Sequence, residues 1–135
     1  MSYNISDIEG IGETYAAKLE QLGIKTTENL LQMAGSKAGR EKLAAETKIP
    51  ESLILTWVNH SDLFRIKGIA GQTAEILEAA GVDTVKELAT RKASNLHQKM
   101  TEVNSKFGLS GKLPTVEMLE SMIAAAKKLD QKVFH

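Results

Sequence analysis

Apolar residues recur at helical spacing along most of the chain. Ala16, Leu19 and Leu22 lie three apart, and Leu53, Ile54, Trp57 and Val58 share one face of a later segment. Leu96, Met100, Val103 and Phe107 follow the i, i+4, i+7, i+11 rule, and Val116, Leu119, Met122, Ile123, Ala126 and Leu129 form a last stripe. No run alternates at period two, so no strand is expected. The punctuation agrees. Gly23 stands where a left-handed residue closes a helix, and Thr26 can cap the next one, with Glu28 in its first turn. Thr84-Val85-Lys86-Glu87 reads as a full capping box, and Ser36 and Ser94 are suited to cap further helices. Pro50 and Pro114 fit the start of a last helix in each half. The pattern predicts an all-α protein of about ten short helices.

The same marks occur twice. A shift of 58 residues places Ile8, Gly10 and Ile11 on Ile66, Gly68 and Ile69, and Ala16, Leu19 and Glu20 on Ala74, Leu77 and Glu78. Gly23, Thr26 and Leu30 then fall on Gly81, Thr84 and Leu88, giving nine identities across residues 8–30. Glycines, caps and core positions are the residues that define a backbone, so duplication of one supersecondary unit is the economical explanation. The units are residues 1–60 and 61–135, joined by a short link at 59–62 and packed together. The second is longer by a loop around Gly108–Lys112.

Composition adds exclusions. With 42% hydrophobic residues in 135, the chain can bury a core of its own. It has no Cys, which removes disulfides, thiolate zinc sites and cysteine nucleophiles. Seventeen basic residues balance seventeen acidic ones, so bulk charge favours neither nucleic acid nor membrane. The start of the chain lacks the apolar run of a signal peptide, and a cytoplasmic location is expected.

Ile8-Glu9-Gly10-Ile11-Gly12, followed by Ala16 and Leu19, resembles the helix-hairpin-helix motif, with Ile66-Lys67-Gly68-Ile69-Ala70, Ala74 and Leu77 as an imperfect second copy. The whole arrangement, including the Trp57 helix and Ser61–Ile66, resembles an uncharacterised bacterial family that carries two such units and is known only as a domain of unknown function. The resemblance implies two repeated units of the SAM-like helical-bundle kind, packed into one compact body. It also implies binding to DNA backbone without sequence readout.

A glycine-tight turn can aim backbone N–H groups outward at a helix N-terminus, where the dipole favours an anion, and nearby cations add a salt-dependent attraction. The first turn has both glycines but is surrounded by Asp7, Glu9 and Glu13, so Gly10, Ile11 and Gly12 are assigned a structural role. In the second, Arg65 and Lys67 replace Asp7 and Glu9, and the next helix opens on Gly71, Gln72 and Thr73, free of acid. Ala70 takes the place of the second glycine, and Gly71 is expected to supply the lost freedom. Residues 86–112 add six basic side chains against two acidic ones. The DNA contacts expected are therefore Arg65, Lys67, Gly68, Ile69, Ala70, Gly71, Gln72 and Thr73, with Arg91 and Lys92 in support.

Three other matches fail. Tyr15 breaks G-x-G-x-x-G after Gly10-Ile11-Gly12, and Gly108–Leu113 is two residues too short for a phosphate loop and ends in Leu. His60, His97 and His135 lack metal-ligand spacing. Ser110 has no triad partner by pattern, and Trp57 and the methionines suit a core. The expectation is a non-enzyme without cofactor or small-molecule substrate that binds DNA backbone weakly. The alternative is a protein–protein adaptor in which the same hairpins are scaffold and an apolar groove or acidic turn meets the partner.

Overall fold

The computed structural model describes residues 3–108 and 111–135. Among these there are eight α-helices and no strand. They are α1 (Gly12–Gln21), α2 (Thr27–Ala34), α3 (Lys37–Thr47), α4 (Glu51–Leu63), α5 (Gly71–Ala79), α6 (Val85–Leu88), α7 (Ala93–Phe107) and α8 (Val116–Lys128), preceded by a single 3₁₀ turn, Ile5–Asp7. Eight stand where about ten were expected.

α2 packs on α3 and α4, α7 on α5 and α8, and α6 on α8, while α4 and α5 meet where the two halves join. One hydrophobic cluster runs through both halves, from Ile5 to Val133, with Trp57, Phe64, Leu30, Ile69 and Leu88 buried in it. The six core positions expected from the repeat (Ile11, Leu19, Leu30, Ile69, Leu77 and Leu88) are all buried.

The turns at positions 58 apart use the same backbone hydrogen bonds. Ile11 N–H donates to Ile8 at 3.3 Å and Ile69 N–H to Ile66 at 3.1 Å. Ile24 N–H donates to Leu19 at 3.0 Å and Val82 N–H to Leu77 at 2.8 Å. Gly23 and Gly81 both take positive φ, 83° and 93°, and Thr26 and Thr84 both accept the backbone N–H three residues on.

Four details depart from expectation. The reciprocal capping box forms at Thr26–Asn29 instead of Thr84–Glu87. The Glu87 carboxylate turns away to accept from Arg91, whose Nη2 lies 2.7 Å off. Ser94 does not cap α7: the helix already begins at Ala93, with Leu96 N–H donating to Lys92 at 2.9 Å. Phe107 leaves the apolar stripe and is exposed on the last turn of α7, with the Lys106 ammonium 6.0 Å from its ring. Finally, the join at 59–62 is the end of α4, an unbroken helix in which Asn59, His60, Ser61 and Asp62 are all buried.

Candidate functional site

Arg65 follows α4 directly, and its position there decides its partners. Its Nη1 donates to Asp62 Oδ1 at 2.7 Å, one helical turn back. Its Nη2 donates to the Asp130 carbonyl at 2.9 Å and to Asp130 Oδ1 at 3.1 Å. The other oxygen of the buried Asp62 accepts the Val85 N–H at 2.8 Å, which is the first residue of α6. The Lys132 ammonium hydrogen-bonds Asp130 at 3.2 Å and lowers its carboxyl below the ordinary 3.8, helped by a backbone N–H and, more weakly, by Arg65. Arg65 is thus a strut between α4, α6 and the segment after α8.

Arg91 is also held internally. Its Nε and Nη2 donate to Glu87 Oε1, and Nη2 donates to the Gly81 carbonyl at 3.0 Å, closing the end of the turn after α5. Lys67, Lys92 and Gln72 are exposed, Thr73 is half-buried, and Ile69 is fully buried. Gly68 takes φ 96°, as Gly10 does at 80°, so both turns contain a left-handed residue at this point.

Gly12 also has positive φ, at 73°, but Ala70 does not copy it. Ala70 is extended, with φ −127° and ψ −169°, and Gly71 opens α5 without taking a positive φ. A side chain at residue 70 therefore meets no left-handed penalty. Gly71 serves closeness instead: a Cβ there would lie 2.9 Å from Glu9 Oε1 and 3.0 Å from its Cγ. The acidic first turn thus rests on the N-terminal turn of α5. Between them is an open cleft of about 570 Å³ lined by Tyr3, Asp7, Glu9, Phe64 and residues 70–73. The structure brings together Ala70, Gly71, Gln72 and Thr73 here, while Arg65 and Arg91 point into pairs of their own.

A second cleft, of about 560 Å³, lies between α2 and the segment 129–135. Leu31, Gly35, Ser61 and Arg65 line it, together with Leu129 and Phe134, whose large apolar side chains are exposed. The segment crosses from α8 to the α2–α3 corner as an extended strap. Phe134 N–H donates to the Gly35 carbonyl at 2.8 Å, and Val133 is buried. Arg40, only 2% exposed, reaches from α3 to bind it: Nη1 donates to the carbonyls of Ala34 and Gly35, and Nη2 donates to that of Phe134 at 2.7 Å.

Sequence reasoning missed Arg40, Asp62 and Asp130. An arginine in a helix and two aspartates near helix ends carry no local mark, because their partners are distant in sequence. The polar run Asn59-His60-Ser61-Asp62 continuing the apolar Trp57 helix was the one available signal, since polar side chains that become buried need partners. His60 Nε2 lies 3.1 Å from Glu78 Oε2, while His60 Nδ1, Asn59 Oδ1 and Arg40 Nε are buried without a hydrogen-bond partner. Among the described residues no three His, Asp or Glu side chains gather as metal ligands, and no helix is long and apolar enough to cross a membrane. Leu109 and Ser110, within the segment considered as a phosphate loop, lie outside the described residues.

No solved structure matches the chain. The model of one family, described as a domain of unknown function (DUF4332), matches residues 9–129. Across nearly all of this helical body, the chain belongs to that family.

Proposed function

We propose that the protein is a non-catalytic interaction module that binds a protein partner, with two helix-hairpin-helix units as its scaffold. The hydrogen bonds shared by residues 8–30 and 66–88 at a constant offset of 58 support the reading of two like units. The observation that carries the functional reading is the cleft beside the strap. Exposed Leu129 and Phe134 rim a concave surface that also offers backbone and side-chain polar groups. Apolar side chains mixed with polar groups of both charge signs, Glu28 among them, suit a peptide better than a phosphate backbone. The pairing of Arg65 and Arg91 with internal acceptors supports the same preference, since phosphate binding needs cations free to exchange their counterions.

The DNA reading has one specific observation in its favour. Lys67 and Lys92 are exposed, and Lys67 adjoins the left-handed turn at Gly68. Titration of labelled duplex and single-stranded DNA at low ionic strength separates the two. The adaptor reading expects no salt-sensitive binding. Binding whose logarithm falls with log salt at a slope of about −2 to −4, and which is abolished by Lys67→Glu, would replace it with DNA-backbone binding through the second hairpin.

A further inference from the structure

The strap is seated on the α2–α3 corner as a peptide is seated in a receptor. Its contacts are mostly to main chain: Gly35 accepts the Phe134 N–H, and buried Arg40 donates to the Phe134 carbonyl. Val133 supplies one buried apolar side chain, while the ring of Phe134 is 51% exposed and contributes little to the seat. The corner is shaped for a close backbone. A Cβ on Gly35 would lie 2.4 Å from the Lys132 carbonyl oxygen, so only glycine admits the strap at this depth.

The corner has bonds of its own besides those to the strap. Arg40 Nη1 is held by Ala34 and Gly35 within the α2–α3 turn, independently of the Nη2 bond to Phe134. Ser36 caps α3 through the Gly39 N–H at 3.1 Å, which fixes the same turn. The strap leaves α8 at Leu129 in extended conformation, and its further polar anchor to the body, the pairing of Asp130 with Arg65, is exposed on the Asp130 side. A preformed receptor and a short extended ligand joined by an exposed hinge are the elements of an exchangeable contact.

We propose that the Gly35–Arg40 corner is a main-chain-directed peptide-docking site, filled by the chain's own strap in the monomer and by the strap of a second copy when its own is released. The inference rests on the reading of the protein as a protein-binding module and adds to the cleft a second site, the seat that lies beneath the strap. Cis docking dominates at low concentration, because the tether gives the strap an effective concentration in the millimolar range or so.

The test uses full chains and a synthetic peptide of residues 129–135, which presents the strap in trans. The variant V133G/F134P disables the chain's own strap, by removing the buried side chain and the donating N–H, and leaves Gly35 and Arg40 intact. Peptide binding is followed by amide shifts of Gly35 and Arg40. The double variant is expected to bind the peptide at least about tenfold more tightly than the wild type, given millimolar self-competition. Equal binding by the two overturns the site. A second measurement needs no variant: hydrogen exchange of Phe134 N–H in the wild type, compared with Ile24 and Val82 N–H in the two glycine turns. Faster exchange at Phe134 shows that the strap opens on its own, as the proposal requires. Exchange as slow as at Ile24 and Val82 means that it leaves only on global unfolding, and overturns the proposal. Salt-sensitive DNA binding would remove the module reading without altering either result, so the two failures are distinguishable.

Discussion

Asp62 and Val85 lie 23 residues apart, yet the Asp62 carboxylate accepts the Val85 N–H at 2.8 Å and so caps α6 from another helix. Its second oxygen accepts from Arg65 Nη1 at 2.7 Å. One buried acid therefore satisfies the start of a four-residue helix and a guanidinium together. Asp62→Ala leaves the buried Val85 N–H and Arg65 Nη1 without their acceptor, while Arg65 keeps Asp130 through Nη2. The expected loss is about 2 kcal/mol, the cost of unsatisfied donors, read by denaturant unfolding. Asp62→Asn keeps one acceptor and is expected to lose less. A loss below about 0.5 kcal/mol for the alanine variant would show that the cap is dispensable.

Gly10 and Gly71 look alike in sequence and are expected to respond differently. Gly10 has open space around it but φ 80°, so Gly10→Ala imposes backbone strain and is expected to destabilise by roughly 1–2 kcal/mol. Gly71 has no positive φ and opens a helix, where alanine is the better former by up to about 1 kcal/mol. A Cβ there would meet Glu9 at Oε1 and Cγ, an exposed side chain that can move, and would lie in ordinary contact with the Asp7 carbonyl at 3.4 Å. Gly71→Ala is therefore expected to be neutral within about 0.5 kcal/mol, and thermal unfolding of the two variants checks the contrast.

Gly35→Ala tests the seat of the strap. The new methyl collides with two backbone carbonyls, Lys132 at 2.4 Å and Leu31 at 2.6 Å, and neither is a side chain that can swing away. Overpacking of this kind costs about 1–3 kcal/mol. The expected outcome is displacement of residues 131–135, seen as faster trypsin cleavage after Lys132 while far-UV helicity is retained.

Acid should act on the same segment. The Asp130 carboxyl is lowered from 3.8, first by its hydrogen bond with Lys132 and then by its backbone N–H and the nearby cations. A depressed folded-state value means that its stabilising effect is complete above the unfolded value and is lost as pH falls through the folded one. Strap resonances are therefore expected to be unchanged from neutral pH down to about 4 and to shift only in stronger acid. Asp130→Asn should remove that response. A change centred near neutrality would assign it to another group.

Much of the body was legible in sequence because its determinants are local. Gly23 and Gly81 close helices, Thr26 and Thr84 open them, and most of the stripe residues are buried, with Leu22, Phe107 and Leu129 exposed at helix ends. Where local rules failed, a competing partner or a shifted helix start had intervened. Arg91, four residues on, drew Glu87 out of its capping box, and Ser94 lost its place when α7 began two residues early. The candidate site was less legible for the same reason. Arg65 reads as a free cation beside Lys67, and only the approach of Asp130, 65 residues on, makes it a strut. No spacing rule links Arg40 to Phe134 across 94 residues.

The passage of α4 through the join has a consequence for how this protein can be cut. Asn59, His60, Ser61 and Asp62 carry the helix from one half into the other, and their side chains are buried on both sides of residue 60. A chain severed there would present raw polar ends and a bare apolar face on each fragment. The two halves are alike in pattern yet are not transplantable pieces. Protease cleavage within α4 should require unfolding of the entire body, and calorimetry should record one transition whose van't Hoff and calorimetric enthalpies agree.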